Sequence, residues 1–75
     1  SKKAVKTVLD KLYNLGWLHV DVHEGNIMCD KKKNVLLIDF GWAVHKEDEP
    51  YKRHPTGLKT FESLKEVQDI NLGHL

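Results

Sequence analysis

Apolar residues recur at Val5, Val8, Leu9 and Leu12, the i, i+3, i+4, i+7 spacing of one helix face, with Lys6, Asp10 and Lys11 turned away. That spacing predicts a helix from Lys3 to about Leu15. Gly16 is well placed to end it, because the residue just past a helix end often needs a left-handed conformation. Trp17-Leu18 is then a short apolar step into a polar cluster, His19 to Asn26. Ile27-Met28-Cys29 reads as a brief strand, Asp30 to Asn34 as a turn, and Val35 to Ile38 as a buried strand, its β-branched and Leu content favouring strand over helix. Beyond Gly41 the periodicity is lost. Glu47-Asp48-Glu49-Pro50 and His54-Pro55-Thr56-Gly57 are loop chemistry. A second helix is expected with Thr60 as its N-cap, Phe61, Leu64 and Val67 on roughly one face, and Glu62 in the first turn. The order is helix, two short strands, long loop, helix, which is an α+β arrangement without internal repeats.

Length and charge narrow the reading. A chain of 75 residues is at most one domain. At this size roughly 60% of the unfolded surface is buried, so stability without a disulfide, metal or partner is marginal. Exposed faces at Val5, Leu9, Leu64 and Val67 are expected to make it more so. Cys29 is the single cysteine, which precludes an internal disulfide and fits an intracellular setting, cytoplasmic or nuclear. With 12 basic and 11 acidic residues the formal charge is +1, so nothing argues for nucleic acid or a membrane surface as partner. Lys31-Lys32-Lys33 lies between two apolar segments and reads as a solvated turn. No apolar stretch approaches the ~20 residues of a membrane span, and no secretory signal pattern opens the chain.

The chemistry is concentrated in two places. His19-Val20-Asp21-Val22-His23-Glu24-Gly25-Asn26 offers a carboxylate at Asp21 and, five positions later, a carboxamide at Asn26. The run Val35 to Ile38 ends on a second carboxylate in Asp39-Phe40-Gly41. Two acids and an amide at strand ends suit magnesium-dependent phosphoryl transfer. One acid takes a hydroxyl proton; the other acid and the amide hold metal ions against phosphates. Singly, each has a plainer use: an Asp forms turns, an Asn caps, and Asp-Phe-Gly arises by chance. A rival reading uses His19, Asp21 and His23. At alternate positions of an extended strand they share a face, as ligands of a zinc-dependent hydrolase would. Asn26 and Asp39 would then be coincidental, and His45 and His54 lie in loop sequence.

These two segments resemble the protein-kinase-like superfamily, whose signature is H-R-D-L-x-x-x-N followed by D-F-G. The resemblance runs from about Leu9 to Val44. Leu12 to His19 is similar to the family's helix-to-catalytic-loop junction, and Ile38 to Ala43 to its metal-binding strand end. It implies part of the C-terminal large lobe over 1–75: helix at 3–16, catalytic loop, hairpin and DFG at 17–41, activation-type loop at 42–59, helical segment at 60–75. It implies that Asp21 accepts or orients the acceptor hydroxyl, that Asn26 and Asp39 hold Mg2+ against ATP, and that Gly41 lets the backbone turn sharply after Asp39. His19 takes a structural part. His23 stands where protein kinases usually carry a lysine near the transferred phosphate, so it joins Asp21 as a catalytic candidate. The Asp-x-His pattern is similar to aminoglycoside phosphotransferases, and an imidazole there makes any phosphate contact pH-sensitive. Val20 replaces an arginine and cannot make a charge-assisted contact with a loop phosphate. Asp69-Ile70-Asn71-Leu72-Gly73 is similar to the D-x-W-x-x-G helix start, one residue short and without Trp. It leaves Asp69 as an anchor for the loop or a plain surface residue.

The resemblance implies ATP, Mg2+ and a hydroxyl-bearing acceptor. Asp39-Phe40-Gly41-Trp42-Ala43 favours a protein serine/threonine acceptor, while His23 favours a small molecule. The glycine-rich loop, strand lysine and glutamate-bearing helix of a small lobe are not in this sequence. The expectation is therefore a kinase when part of an intact protein, with remaining kinase sequence as partner, and an inactive chain in isolation. A non-catalytic kinase-like interaction fragment is the other reading that needs no further residues.

Overall fold

The computed structural model describes residues 2–75. In chain order it contains α1 (Lys2–Asn14), β1 (Trp17–Leu18), a 3-10 turn (Glu24–Asn26), β2 (Ile27–Cys29), β3 (Val35–Leu37), β4 (Val44–His45), α2 (Glu49–Lys52) and α3 (Gly57–Gly73). Helices with small antiparallel strand pairs make the fold α+β.

The apolar stripe of α1 turns Val5 and Leu9 into the core, correcting the expectation that they are exposed. Lys11 in the last turn complements the helix dipole. Gly16 then adopts φ 91°, and a Cβ there would lie 2.6 Å from the His45 ring, so both conformation and space demand glycine. α3 runs antiparallel to α1. Leu72 packs with Val5 and Leu9, while Phe61 stacks on Tyr13 near the other end, 6.2 Å between ring centroids. Each such buried side chain contributes roughly 1.5–3 kcal/mol. The Tyr13 hydroxyl donates to Glu62, which raises its pKa above the ordinary tyrosine range.

α3 differs from the predicted helix. It begins at Gly57, three residues earlier than the expected cap, and Thr60 lies inside it with its hydroxyl on the Thr56 carbonyl. Its buried positions are Gly57, Phe61, Gln68 and Leu72; Val67 is 53% exposed and Leu64 half-buried. The early start depends on Gly57, where a Cβ would lie 2.7 Å from the Pro50 carbonyl oxygen and closer still to the Tyr51 backbone. Helix α2 therefore seats directly against the first turn of α3, with Tyr51 edge-on to Phe61 at 5.5 Å.

β2 and β3 form a hairpin with Ile27 opposite Leu37, Met28 opposite Leu36 and Cys29 opposite Val35. Alternation sends Ile27, Val35 and Leu37 to the core and leaves Met28 and Leu36 outside. The expected buried strand is thus covered on one face only among the described residues, with Leu36 53% exposed. Asp30 organises the turn. Its carboxylate accepts from the main-chain N–H groups of Lys32 (2.8 Å) and Asn34 (2.9 Å) and from the Asn34 side chain (3.0 Å). These bonds, led by the Asn34 main-chain N–H, hold its pKa below the usual carboxylate value. The second strand pair, Trp17 opposite His45 and Leu18 opposite Val44, lies in sequence read as an apolar step and a loop.

Candidate active site

The loop between β1 and the 3-10 turn is fixed by residues that alternate inward and outward. His19 is fully buried, Val22 joins the core of Val5, Leu9 and Leu72, and Asp21 and His23 reach toward solvent. Val20 between them has φ 75°, a conformation rare for a β-branched residue and costing about 1–3 kcal/mol.

His19 links the two motif segments. The Asp21 N–H donates to its Nδ1 (3.1 Å), so the ring hydrogen sits on Nε2 and donates to the Ile38 carbonyl at 2.7 Å. Its ring also meets Phe40 edge-on, centroids 4.8 Å apart. Ile38 is held from its other side too, because its N–H donates to the Asn26 carbonyl at 3.0 Å. This continues the β2–β3 register by one step, and the residue immediately before Asp39 is thereby tied to both His19 and Asn26.

Asp21, His23 and Asn26 converge directly. Asn26 is buried, and its Nδ2 donates to the Asp21 carbonyl (2.9 Å) and to the Asp21 carboxylate (3.1 Å), with His23 Nε2 also 3.0 Å from it. The carboxamide nitrogen is thus turned toward both Asp21 and His23. The Gly25 N–H donates to His23 Nδ1 (3.0 Å), leaving Nε2 of the ring 3.7 Å from the Asp21 carboxylate. Asp39 is exposed and left-handed (φ 57°), with Oδ1 accepting from the Gly41 N–H at 3.3 Å. The sharp turn implied at Gly41 thus has its positive φ on Asp39. Gly41 matters through space instead, since a Cβ there would press on Asp39 Oδ1 at 3.2 Å.

Within the two motif segments, Asn26 Oδ1, Asp21 Oδ1 and Asp39 Oδ2 have no protein partner among the described residues. Such hard donors suit Mg2+, which takes one or two protein oxygens and completes its shell with water and phosphate. The alternate-position zinc set does not form. Val20 breaks the extended run, both ring nitrogens of His19 are occupied inside the protein, and no three His, Cys, Asp or Glu residues converge as a metal group among the described residues. Asp69 does not anchor the loop either; it pairs with Lys65 at 2.7 Å, raising the Lys65 pKa. The side chain that reaches the loop is its neighbour Gln68, whose Oε1 accepts from the N–H groups of His19 and Val20. The motif's spacing pointed to an acid, and a glutamine one position earlier gave no signal.

A family model for the ABC1 atypical kinase-like domain matches residues 1–61. The chain is also similar to the serine/threonine-protein kinase PKH1 of Saccharomyces cerevisiae, 43% identical over 42 residues, which are 56% of this chain and 6% of that protein. The aligned stretch is thus a small part of the yeast protein's length. No solved structure matches significantly. No helix is long and apolar enough to cross a membrane among the described residues.

Proposed function

The chain belongs to the ABC1 atypical kinase-like domain family, within the protein-kinase-like superfamily, and from that premise we propose that it carries the catalytic loop and metal-binding strand end of an ATP-dependent phosphotransferase. The observation that carries this reading is the double clamp on Ile38, which ties Asp39 to the Asp21–His23–Asn26 cluster through His19 and Asn26. Asp21 orients the acceptor hydroxyl and receives its proton. Its carboxylate is aimed by the Asn26 amide and its backbone by His19. Asn26 Oδ1 and Asp39 Oδ2 are the oxygens that would hold Mg2+, and Gly41 keeps the space beside Asp39 clear. When bound, Mg2+ neutralises phosphate charge, and the protein's share is chiefly positioning. Ser/Thr protein acceptors are the preferred substrate class, in line with the printed name of the yeast relative.

His23 favours one second reading, a small-molecule hydroxyl as acceptor. Its ring is half-exposed beside the Asp21 carboxylate, where a compact acceptor or the transferred phosphate would contact it. Nucleotide affinity and turnover, measured separately in the parent protein, test the roles. Asp39→Asn should abolish activity mainly by weakening Mg-ATP binding. Asp21→Asn should leave binding nearly unchanged and lower turnover by about 10²–10⁴-fold, the usual weight of a general base. Equal loss of ATP affinity in both variants would sink the assignment.

A further inference from the structure

One end of the molecule gathers cations around an apolar cleft that holds none of Asp21, His23, Asn26 and Asp39. Cys29 and Val35 face each other where the β2–β3 hairpin enters its turn, and both line this cleft of about 500 Å³ together with Lys2. Val5, Ile27, Val35 and Leu75 supply its apolar lining. A second cleft of about 420 Å³, on the α3 side of α1, shares Lys2 and adds Lys3 and Lys6. The hairpin turn joins Cys29 to Val35, so its exposed Lys31, Lys32 and Lys33 stand beside the same opening. Asp30 ties that turn down through Lys32 and Asn34, which presents the lysines on a fixed backbone. Lys6 pairs with Asp10, and Lys2 donates to the Gly73 carbonyl. Lys2, Lys3, Lys31, Lys32 and Lys33 have no carboxylate partner among the described residues. The chain carries a net charge of only +1, so the fold, not the composition, collects this charge. Like charge collected in this way costs stability by self-repulsion and draws anions.

We propose that this cleft docks an acidic peptide segment of a protein partner: large apolar side chains of the segment enter the cleft, and the carboxylates beside them meet the lysines. Both halves of that chemistry are used. Nucleic acid brings the charge but no aliphatic side chain to fill an apolar cleft, and an uncharged segment would leave the lysines unanswered. Glu24 is the only acidic side chain on this cleft among the described residues, and it gives the segment a direction. Carboxylates are repelled there and drawn toward α1 and the turn. Glu24 also follows His23 directly, so a partner docked here is held close to the catalytic loop, and its acceptor hydroxyl is supplied at raised effective concentration. That consequence rests on the phosphotransferase reading; the docking does not.

Cys29, the single cysteine, is exposed on the cleft, so its alkylation by iodoacetamide reports occupancy. The probe is a short synthetic peptide of glutamates around a pair of leucines. With the peptide at about ten times its Kd, Cys29 should react about tenfold more slowly, because only the free chain reacts. Replacing the leucines by serine should weaken binding about tenfold or more. Lys31→Glu, Lys32→Glu and Lys33→Glu together should do the same, and affinity should fall as salt rises. In the parent protein, an acceptor extended by the same segment should show a KM lower by about tenfold, with kcat and the KM for ATP unchanged. Absence of binding would overturn the proposal, as would binding that leaves Cys29 alkylation unaltered or equal affinity for the leucine-free peptide; all three are read on the unaltered chain. Equal protection of Cys29 by a polyuridine oligonucleotide or by phosphatidylserine vesicles would overturn the choice of an acidic peptide. Binding and protection in a parent protein that phosphorylates no acceptor would support the dock and defeat the phosphotransferase reading instead.

Discussion

The two halves of the candidate site are built in opposite ways. In the stretch 19–26, polar groups are tied across the fold: His19 to Ile38, and the His19–Val20 amides to Gln68, forty-eight and forty-nine positions away. In the stretch 39–56, most bonds close within a few residues, as in Gly41 on Asp39, His45 on Asp48, Glu47 on His45 and Thr56 on His54. Trp42 at its start is 70% exposed. Long-range ties in a buried setting give a geometry present before any ligand arrives. Local ties in solvent give one that a ligand or partner can still rearrange. The Asp21 half is preformed, and the Asp39 half is joined to it through the backbone of Ile38, the Phe40 ring on His19 and the pairing of β1 with β4.

The largest effect should come from removing the residue that makes the first half different. His19→Leu fills the cavity but orphans the Asp21 N–H and the Ile38 carbonyl, at about 1–3 kcal/mol for each buried group left unpaired. Against the few kcal/mol available to a chain this small, that is a large share. The denaturant midpoint should fall sharply, and amides at Asp21 and in β3 should lose protection together. A midpoint shift no larger than that of a surface substitution would mean the two segments are not joined through His19.

Gly57→Ala probes the other half. An added Cβ meets the backbone of Pro50 and Tyr51, which cannot swing aside as a flexible side-chain end would. The overpacking cost, about 1–3 kcal/mol, exceeds the roughly 0.5–1 kcal/mol that alanine gains over glycine in a helix. Net destabilisation is expected, with α2 displaced from Phe61 and protection at His19 retained. Loss of loop protection in this variant would show that the two halves are one cooperative unit and that the contrast between them is false.

What the sequence disclosed follows the same division. α1 and the hairpin were legible because Val5-Val8-Leu9-Leu12 and Ile27 to Leu37 carry their periods in contiguous residues, and Asp21, Asn26 and Asp39 stand at motif spacing. Contacts made at a distance were not. Gln68 looks like any polar helix residue until α3 is laid against the loop. The early start of α3 rests on a close approach of two backbones at Gly57, which no pattern encodes. Two-residue strands such as β1 and β4 are too short to show alternation. The continuous run Val35-Leu36-Leu37-Ile38 suggests cover on both faces, whereas the fold supplies it on one.

The smallest effect belongs to the Asp30 turn, where every tie is local and solvent-exposed, making it a control for the comparison. Its carboxyl pKa is depressed in the folded chain because main-chain N–H groups of Asn34 and Lys32 and the Asn34 amide bind the ionised form. A depressed folded value means the contribution to stability is present above the unfolded aspartate value of about 3.9 and is lost as pH falls through the lower folded value. At neutral pH the turn is therefore fully supported. Amide resonances of Lys32 and Asn34 should titrate with a midpoint below the ordinary aspartate range, while those of His19 and Val20 stay still, since among the described residues no tie connects the turn to the loop except the hairpin itself. Asp30→Ala should abolish that titration and lower the denaturant midpoint only slightly. A midpoint at the ordinary value would remove Asp30 as the organiser of the turn. Concerted movement of the His19 and Val20 resonances in the same acid range would show that even this local turn communicates with the catalytic loop.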